Sequence, residues 1–169
     1  AERFGLIHDI DRWVVSRAIY LIQELKQDNK PTHLEVNLSG KAFTDDKLLP
    51  LIRSELATTG IDPAALVLEI TETSIIENIA IARHFIVELK SLGCRFALDD
   101  FGIGFSSFNY LKHLPVDYLK IDGSFVRNLP HDTVDQHLVK AMVEIARGLG
   151  KKTIAEFVEN EEIMRLLRE

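Results

Sequence analysis

The chain has 169 residues, 46% of them hydrophobic, and a formal net charge of -6. A chain of this length and composition can bury one substantial core, so we expect a single globular domain over residues 1–169. The negative charge and the lack of any Lys/Arg-rich run exclude a basic footprint for DNA or RNA.

The sequence also bears on the compartment. No stretch approaches the roughly 18 apolar residues of a membrane span, and residues 1–4 do not resemble a signal peptide. We therefore expect no membrane contact by this segment. The one cysteine, Cys94, lies in an apolar run and is predicted to be a buried, reduced thiol. These features predict a cytoplasmic chain, whose parent could be membrane-anchored through other domains.

The first predicted element is an amphipathic helix between His8 and Gln27, where apolar residues recur every three or four positions. Its predicted buried stripe consists of Ile10, Val14, Ala18, Leu21 and Leu25, with Trp13 packed beside it. Asn29-Lys30-Pro31 ends the helix, because proline cannot continue it.

Five strand-like runs follow, with helical segments between them. The predicted strands cover residues 33–39, 66–71, 117–122 and 153–157, together with an apolar run from Phe96 that ends at Asp99 and Asp100. This alternation, with short glycine-containing joins, predicts a parallel sheet with helices on its outside, an α/β fold.

Several helices have predicted caps and buried faces. Ser106-Ser107 can cap a short helix, Asp132 a longer one, and Asn160 the last one. The helix after the second strand is predicted to bury Ile79, Phe85, Ile86 and Leu89. The helix that Asp132 starts is predicted to bury Val134, Leu138, Met142, Ile145 and Leu149.

The adjacent carboxylates of Asp99 and Asp100 are unfavourable together. At about 4 Å and an effective dielectric constant near 20, two such charges repel by about 4 kcal/mol. We therefore expect a positive group beside them. For this pair alone, a helix cap or a solvated turn is the simpler interpretation.

Polar residues with apolar neighbours end all five predicted strands, and they share one phase. They are Asn37, Glu69, Asp99, Lys120 and Glu156. Because successive side chains on a strand face opposite sides, all five point away from the helices if their apolar neighbours face them. Barrel enzymes hold their sites at the carboxyl ends of parallel strands. Each residue alone is more simply a salt bridge or a cap, but the set favours a site.

The residue types of this set indicate a chemistry. Three carboxylates and an amide oxygen form a hard oxygen site that suits Mg²⁺ or Mn²⁺ better than zinc. A protonated lysine among them would reduce the local repulsion and could hold a phosphate or a water. This combination is typical of metal-assisted phosphodiester hydrolysis, in which one carboxylate takes a proton from the attacking water.

Five motifs, in their order along the chain, resemble the EAL domain family of bacterial cyclic di-GMP phosphodiesterases. They are Val36-Asn37-Leu38-Ser39, Glu69-Ile70-Thr71-Glu72, Asp99-Asp100-Phe101-Gly102, Leu119-Lys120-Ile121-Asp122 and Ala155-Glu156-Phe157-Val158-Glu159. The segment from Ala1 to Trp13 also resembles the one that follows the family's signature strand. The resemblance covers nearly the whole chain.

The resemblance implies a TIM-like (β/α)8 barrel of the EAL type, here incomplete, with about five strands and outer helices. Residues 1–169 would form one EAL-type domain fragment that lacks the first strands, with the Glu-Ala-Leu motif, and the last strand. An incomplete barrel exposes sheet edges, so we expect the fragment to be weakly active or inactive.

The resemblance also implies roles for individual residues. Metal ligands would be Asn37, Glu69 and Asp99 for one ion, with Asp99 and Asp100 bridging to a second. Lys120 would contact the water or phosphate, and Glu156 would be the general base. Support of substrate or loop is implied for Glu72, Asp122, Glu159, Gly102 and Ser106. Two residues depart from the family pattern: Ile103 replaces a common threonine, and Phe157, predicted to lie on the helix-facing side of its strand, replaces a common glycine.

The implied reaction is hydrolysis of cyclic di-GMP to linear pGpG in bacterial second-messenger signalling. Mg²⁺ or Mn²⁺ would support it at a two-metal site, and Ca²⁺ would inhibit it while allowing the substrate to bind. The implied partners are cyclic di-GMP, a second copy in a homodimer, and flanking sensory or GGDEF-type domains in the parent. The alternatives are a non-catalytic cyclic di-GMP receptor and a protein-interaction module.

Overall fold

The computed structural model describes residues 5–28, 30, 32–103 and 108–168. The strands in this part of the chain are β1 (Leu34–Asn37), β2 (Leu66–Thr71), β3 (Arg95–Phe101), β4 (Tyr118–Ile121) and β5 (Lys152–Ala155). The helices are α1 (Ile7–Gln27), α2 (Leu48–Thr59), α3 (Glu72–Glu77), α4 (Ile79–Ser91), α5 (Phe108–His113), α6 (Gly123–Val126), α7 (Thr133–Gly148) and α8 (Glu161–Arg168). The predicted cap at Ser106 and Ser107 and the predicted stop at Asn29 and Pro31 lie outside the described residues.

The chain forms two compact units, residues 1–97 and 98–169, and the boundary falls within β3. In the first unit the strand order is β1-β2-β3, and in the second it is β3-β4-β5. β1 and β2 run parallel, as do β4 and β5. The predicted α/β arrangement of five strands between helices is confirmed.

The core of the first unit surrounds β2. Five of its six residues are buried, including the carboxylate-bearing Glu69. Three aromatic rings extend this core: the ring centroids of Phe43 and Phe85 lie 5.7 Å apart, and those of Phe85 and Phe96 lie 6.5 Å apart. Such tilted and edge-to-face pairs stabilise a core beyond the area that they bury.

The buried face of α1 differs from the predicted stripe by one position. The buried residues are Asp11, Val15, Ala18, Ile19 and Ile22. Trp13 is 67% exposed and Ile10 is also exposed, so their predicted packing in the core is wrong. The helix carries two overlapping apolar stripes, and the buried one begins with a carboxylate. A count of apolar residues therefore favours the stripe that is more exposed in the structure.

The predicted helix after β2 is interrupted. Asn78, at φ -155° and ψ 77°, separates α3 from α4, and its side chain accepts a hydrogen bond from the Ile81 N–H. Phe85, Ile86 and Leu89 are buried as predicted, whereas Ile79 is exposed at the start of α4. The first residue of the new helix therefore does not continue the buried face.

In the second unit, the predicted caps at Asp132 and Asn160 are confirmed. The Asp132 carboxylate accepts hydrogen bonds from the N–H groups of Val134 and Asp135 at the start of α7. The Asn160 side chain accepts one from the Ile163 N–H, 2.9 Å away, at the start of α8. Side-chain caps of this kind satisfy N–H groups that have no partner within the helix.

The face of α7 that packs inward was predicted only in part. Its buried residues are Val139, Met142 and Ala146, whereas Val134 is 63% exposed and Leu138 is also exposed. Only Met142 belongs to both the predicted and the observed sets. As on α1, a second apolar stripe lies on the exposed side and makes the buried face ambiguous in the sequence.

Two further sequence inferences concern the thiol and the membrane. Cys94 is a free, buried cysteine, and burial raises the pKa of its thiol to about 12. A thiol with so high a pKa is almost entirely protonated at neutral pH and unreactive. Within the described part of the chain, no helix combines the length and hydropathy needed to cross a membrane.

The observed phase of α1 predicts a contrast between two substitutions. Ile19 is fully buried, so Ile19→Ala is expected to lower the free energy of unfolding by about 2–5 kcal/mol. Trp13→Ala removes a larger but exposed side chain, so the expected loss is below about 1 kcal/mol. Urea unfolding followed by circular dichroism measures both. An equal or larger loss for Trp13→Ala would contradict this assignment of the buried face.

Candidate active site

Three charged side chains meet at the carboxyl ends of β3, β4 and β5. Asp99 lies in β3, Lys120 in β4, and Glu156 directly follows β5. The Lys120 Nζ atom lies 2.8 Å from Glu156 Oε1 and 3.1 Å from Asp99 Oδ1. The predictions of a positive group beside the aspartates and of a shared side for these three residues are confirmed.

Burial strengthens the electrostatic interactions among the three charged side chains of this cluster. Lys120 is only 8% exposed, and a buried ammonium is tolerated only where opposite charges and hydrogen bonds replace its water. Asp99 Oδ1 is buried and faces the Lys120 ammonium 3.1 Å away, a contact that uses only one of the two lone pairs of this oxygen. This oxygen therefore retains capacity for a further electropositive ligand.

Asp100 adds to the negative charge of the cluster. Burial raises its pKa first, and the negative charges of Asp99, Asp122 and Glu156 raise it further, while Lys120 partly offsets them. Its backbone adopts the left-handed region with φ 59°, a conformation that aspartate tolerates better than most residues. The acidic side chains around Asp100 outnumber the single lysine, and this imbalance favours a bound cation.

Asp122 has a local structural contact. It is the N-cap of α6 and accepts a hydrogen bond of 2.7 Å from the Ser124 N–H. Burial opposes the ionisation of Asp122, but hydrogen bonds from Ser124 and Gly123 and the nearby Arg127 outweigh it, so its pKa lies below the usual value. Its predicted role in supporting substrate or loop stays a prediction.

The chain leaves the sheet earlier than predicted after β5. The strand ends at Ala155, and Phe157 has φ 52°, so its predicted place on the helix-facing side of the strand is wrong. Its ring is 50% exposed and lies beneath the Arg127 guanidinium, 3.8 Å from the ring centroid. A Cβ atom on Gly123 would lie 2.1 Å from the Phe157 ring, so this glycine makes room for it. Glu159 contacts the same Arg127, with its Oε1 atom 3.5 Å from Nε.

Gly102 permits a close approach directly after β3. Its φ is 106°, and a Cβ atom there would lie 2.5 Å from Met142 Cε and 2.9 Å from the Phe125 ring. The following residue, Ile103, is exposed, and its N–H donates to the Asp100 carbonyl oxygen at 3.3 Å. Ser106, predicted to support this loop, lies outside the described residues.

The first unit places its predicted ligands at the ends of β1 and β2. Asn37, the last residue of β1, is exposed and is paired in register with the buried Glu69. Glu72 follows in the first turn of α3 and is also buried. The positions of these residues at strand ends agree with the sequence analysis, and their roles as ligands and loop support stay predictions.

Sequence analysis missed Asp11 altogether. Only 4% of this α1 residue is exposed, and its carboxylate accepts hydrogen bonds from the Ser39 hydroxyl at 2.5 Å and the Ser39 N–H at 3.3 Å. The available signal was its spacing, because Asp11 precedes Val15, Ala18 and Ile22 on one helical face. A charge on an otherwise apolar face indicates a buried polar contact.

The side chains of this region can be compared with the ligands that a metal ion requires. Within the described residues, no three His, Cys, Asp or Glu side chains are placed to hold an ion together. Asp99 and Asp100 nevertheless supply only oxygen atoms, one of them buried beside the Lys120 ammonium, in surroundings of excess negative charge. Oxygen ligands and negative charge fit a hard divalent cation such as Mg²⁺ or Mn²⁺.

These features define an α/β protein with acidic residues gathered around a buried lysine at the ends of its strands. The chain belongs to the EAL domain family, because the sequence model of the EAL domain matches residues 1–169. The predicted family and fold class are thereby confirmed.

Relatives with similar sequences carry names that concern cyclic di-GMP. The chain is 40% identical to cyclic di-GMP phosphodiesterase PdeB of Shewanella oneidensis, matching 99% of this chain and 20% of that protein. It is 36% identical to cyclic di-GMP phosphodiesterase PdeA of Borreliella burgdorferi, matching 99% of this chain and 25% of that protein. The chain therefore spans a quarter or less of the length of these curated relatives.

Solved structures of similar fold carry EAL or phosphodiesterase names. The PaMucR phosphodiesterase in complex with c-di-GMP superimposes with a TM-score of 0.90 at 35% identity, over 99% of this chain and 68% of that one. The FimX EAL domain of Xanthomonas citri in complex with c-diGMP gives a TM-score of 0.94 at 30% identity, over 99% of this chain and 66% of that one.

The close approach at Gly102 predicts a costly substitution. Gly102→Ala would place a methyl group against Met142 and Phe125 in a left-handed backbone, and is expected to lower the free energy of unfolding by about 1–3 kcal/mol. Gly150→Ala is the matched control, because its φ of 67° is also left-handed but nothing lies within 4 Å of its Cβ position. Urea unfolding compares the two. Equal losses would show that backbone strain alone matters at Gly102.

The raised pKa of Asp100 predicts a pH-dependent gain in stability for Asp100→Asn. A raised carboxyl pKa means that the folded state binds the proton more tightly, so stability from this group is lost as pH rises through the folded-state pKa. The unfolding midpoint of Asp100→Asn should exceed the parent's at pH 7, and the gain should disappear below about pH 3.9.

Asp122→Asn is the control for this experiment, because the pKa of Asp122 is lowered and its carboxylate caps α6. It should lose stability at pH 7. Thermal unfolding at several pH values measures both variants, and an Asp100→Asn midpoint at or below the parent's at pH 7 would contradict the repulsion described here.

Proposed function

We propose that this chain supplies most of the active site of a phosphodiesterase that hydrolyses cyclic di-GMP to linear pGpG in bacterial second-messenger signalling. The observation that carries the proposal is the buried contact of Lys120 with Asp99 and Glu156 at the ends of three strands. Membership of the EAL family supports it, as do similar proteins named cyclic di-GMP phosphodiesterases.

The metal would be Mg²⁺ or Mn²⁺ at a two-metal site. We assign Asn37, Glu69 and Asp99 to one ion, and Asp99 with Asp100 to a second. When bound, such ions lower the pKa of a coordinated water and offset the charge of the phosphate. Ca²⁺ would allow binding of the dinucleotide and inhibit its hydrolysis.

The side chains of the cluster then have separate tasks. Glu156 accepts a proton from the attacking water while the water oxygen forms a bond to phosphorus and the bond from phosphorus to the 3′ oxygen breaks. The 3′ oxygen takes a proton from solvent water as it leaves, so the product is the linear dinucleotide with a 5′ phosphate. Lys120 holds a non-bridging phosphate oxygen or the water, and its contact with Glu156 fixes the orientation of the base.

The remaining predicted partners extend this proposal. We expect a homodimer and, in a longer parent protein, flanking sensory or GGDEF-type domains. Support for a flanking cyclase domain comes from the similar protein MucR of Pseudomonas aeruginosa, which is named a bifunctional diguanylate cyclase and cyclic di-GMP phosphodiesterase. The protonated, buried thiol of Cys94 fits a reducing cytoplasm.

Glu156→Gln tests the proposal most simply. With Mg²⁺ or Mn²⁺, and in the longer parent protein, this substitution should slow formation of pGpG about 10²–10⁴-fold relative to the unsubstituted parent, because glutamine cannot accept the proton. The variant's affinity for cyclic di-GMP in Ca²⁺, measured by calorimetry, should change little. Glu144→Gln is the matched control, since Glu144 is an exposed α7 carboxylate paired with Arg147. Chromatography of the products gives the rates.

Three results would change the assignment. Hydrolysis by Glu156→Gln at the parental rate would refute its role as the base. Binding of cyclic di-GMP by the parent without product formation would favour a receptor. A parent that neither binds nor hydrolyses the dinucleotide would leave a protein-interaction module as the better interpretation.

A further inference from the structure

The buried carboxylate of Asp11 directs both its oxygens to one residue on another element. Oδ2 accepts from the Ser39 hydroxyl at 2.5 Å, and Oδ1 accepts from the Ser39 N–H at 3.3 Å. Asp11 lies on the buried face of α1, whereas Ser39 comes just after β1. A carboxylate that is 4% exposed has lost most of its hydration, so these bonds are what keep it favourable in this place.

The position of Ser39 gives this contact its importance. It is the second residue after Asn37, where the chain leaves β1 for the short helical turn Gly40–Thr44. The Leu38 N–H between them donates to the Glu69 carbonyl oxygen at 2.8 Å. The backbone beyond Asn37 is therefore held from β2 at one residue and from α1 at the next.

β1 needs such an anchor more than the other strands of its unit. It has four residues, whereas β2 has six and β3 has seven. The ends of short strands open readily. Asn37 is the last residue of β1 and is exposed, so the position of its amide depends on the backbone that follows it.

We propose that Asp11 is a positioning residue for Asn37: by fixing Ser39, it holds the Asn37 amide in the orientation that metal binding requires. The inference rests on the proposed function, because it takes Asn37 as a metal ligand. Groups that orient a ligand without touching the metal typically contribute about 10–100-fold to metal affinity.

A second contact of α1 provides a matched control. The Ser16 hydroxyl donates to Glu55 Oε1 at 2.7 Å, which joins α1 to α2 through the same pair of groups, a hydroxyl and a carboxylate. Glu55 lies in α2 and has no contact with the residues that follow β1 among its described hydrogen bonds. Loss of this bond should affect stability without affecting Asn37.

The first experiment titrates the full chain with Mn²⁺ alone by calorimetry. Asp11→Ala should bind Mn²⁺ roughly 10-fold more weakly than the parent, whereas Glu55→Ala should keep the parental affinity. Asp11→Asn should recover most of the affinity, because its amide can accept from the Ser39 N–H and donate to the Ser39 hydroxyl. Equal Mn²⁺ affinities for Asp11→Ala and Glu55→Ala, at matched urea midpoints, would overturn the inference.

The second experiment needs neither metal nor hydrolysis. Nitrogen-15 relaxation of the Asn37 side-chain amide in the metal-free chain should show greater mobility in Asp11→Ala than in the parent, Asp11→Asn or Glu55→Ala. Unchanged mobility in Asp11→Ala would overturn the inference. A parent that binds no Mn²⁺ would refute the proposed metal site, while a loosened Asn37 in Asp11→Ala would still support the positioning role.

Discussion

Lys120 holds the charged ends of β3, β4 and β5 together. Its side chain is buried, and its ammonium lies between the carboxylates of Asp99 and Glu156. Removing one member of a buried ion pair leaves an uncompensated charge and typically destabilises a protein by about 3–5 kcal/mol. The stability of this region therefore depends on the same contact that holds the Asp99 and Glu156 carboxylates beside the Lys120 ammonium.

The surroundings of this lysine are not balanced in charge. Asp99, Asp122 and Glu156 all raise the pKa of Asp100, and the Lys120 ammonium offsets only part of their effect. Active sites commonly hold such destabilised groups because function, and not stability, selects them. Backbone strain also lies next to this cluster. Two non-glycine residues are described with positive φ, Asp100 and Phe157, and they directly follow Asp99 and Glu156 in the chain.

Much of this arrangement could be predicted from the sequence, because period-two alternation and polar strand ends are local signals. The bounds of β2 match the prediction, and a cation beside Asp99 was expected from electrostatics alone. The predictions that were wrong concern features that depend on tertiary packing. The buried face of α1 includes Asp11, whose partner is 28 residues away, and Phe157, just beyond the end of β5, packs on Gly123. Neither partner is visible in a local pattern.

In the proposed site, Asp99 and Asp100 bind divalent metal beside Lys120, where a phosphodiester is hydrolysed. A crystal structure of the chain with cyclic di-GMP and Ca²⁺ tests it most directly, because Ca²⁺ should permit binding without turnover. We predict Ca²⁺ at about 2.3–2.6 Å from carboxylate oxygens of both aspartates, with the Lys120 ammonium in contact with the phosphate or a water. A dinucleotide bound elsewhere, or Ca²⁺ held by other residues, would contradict the account.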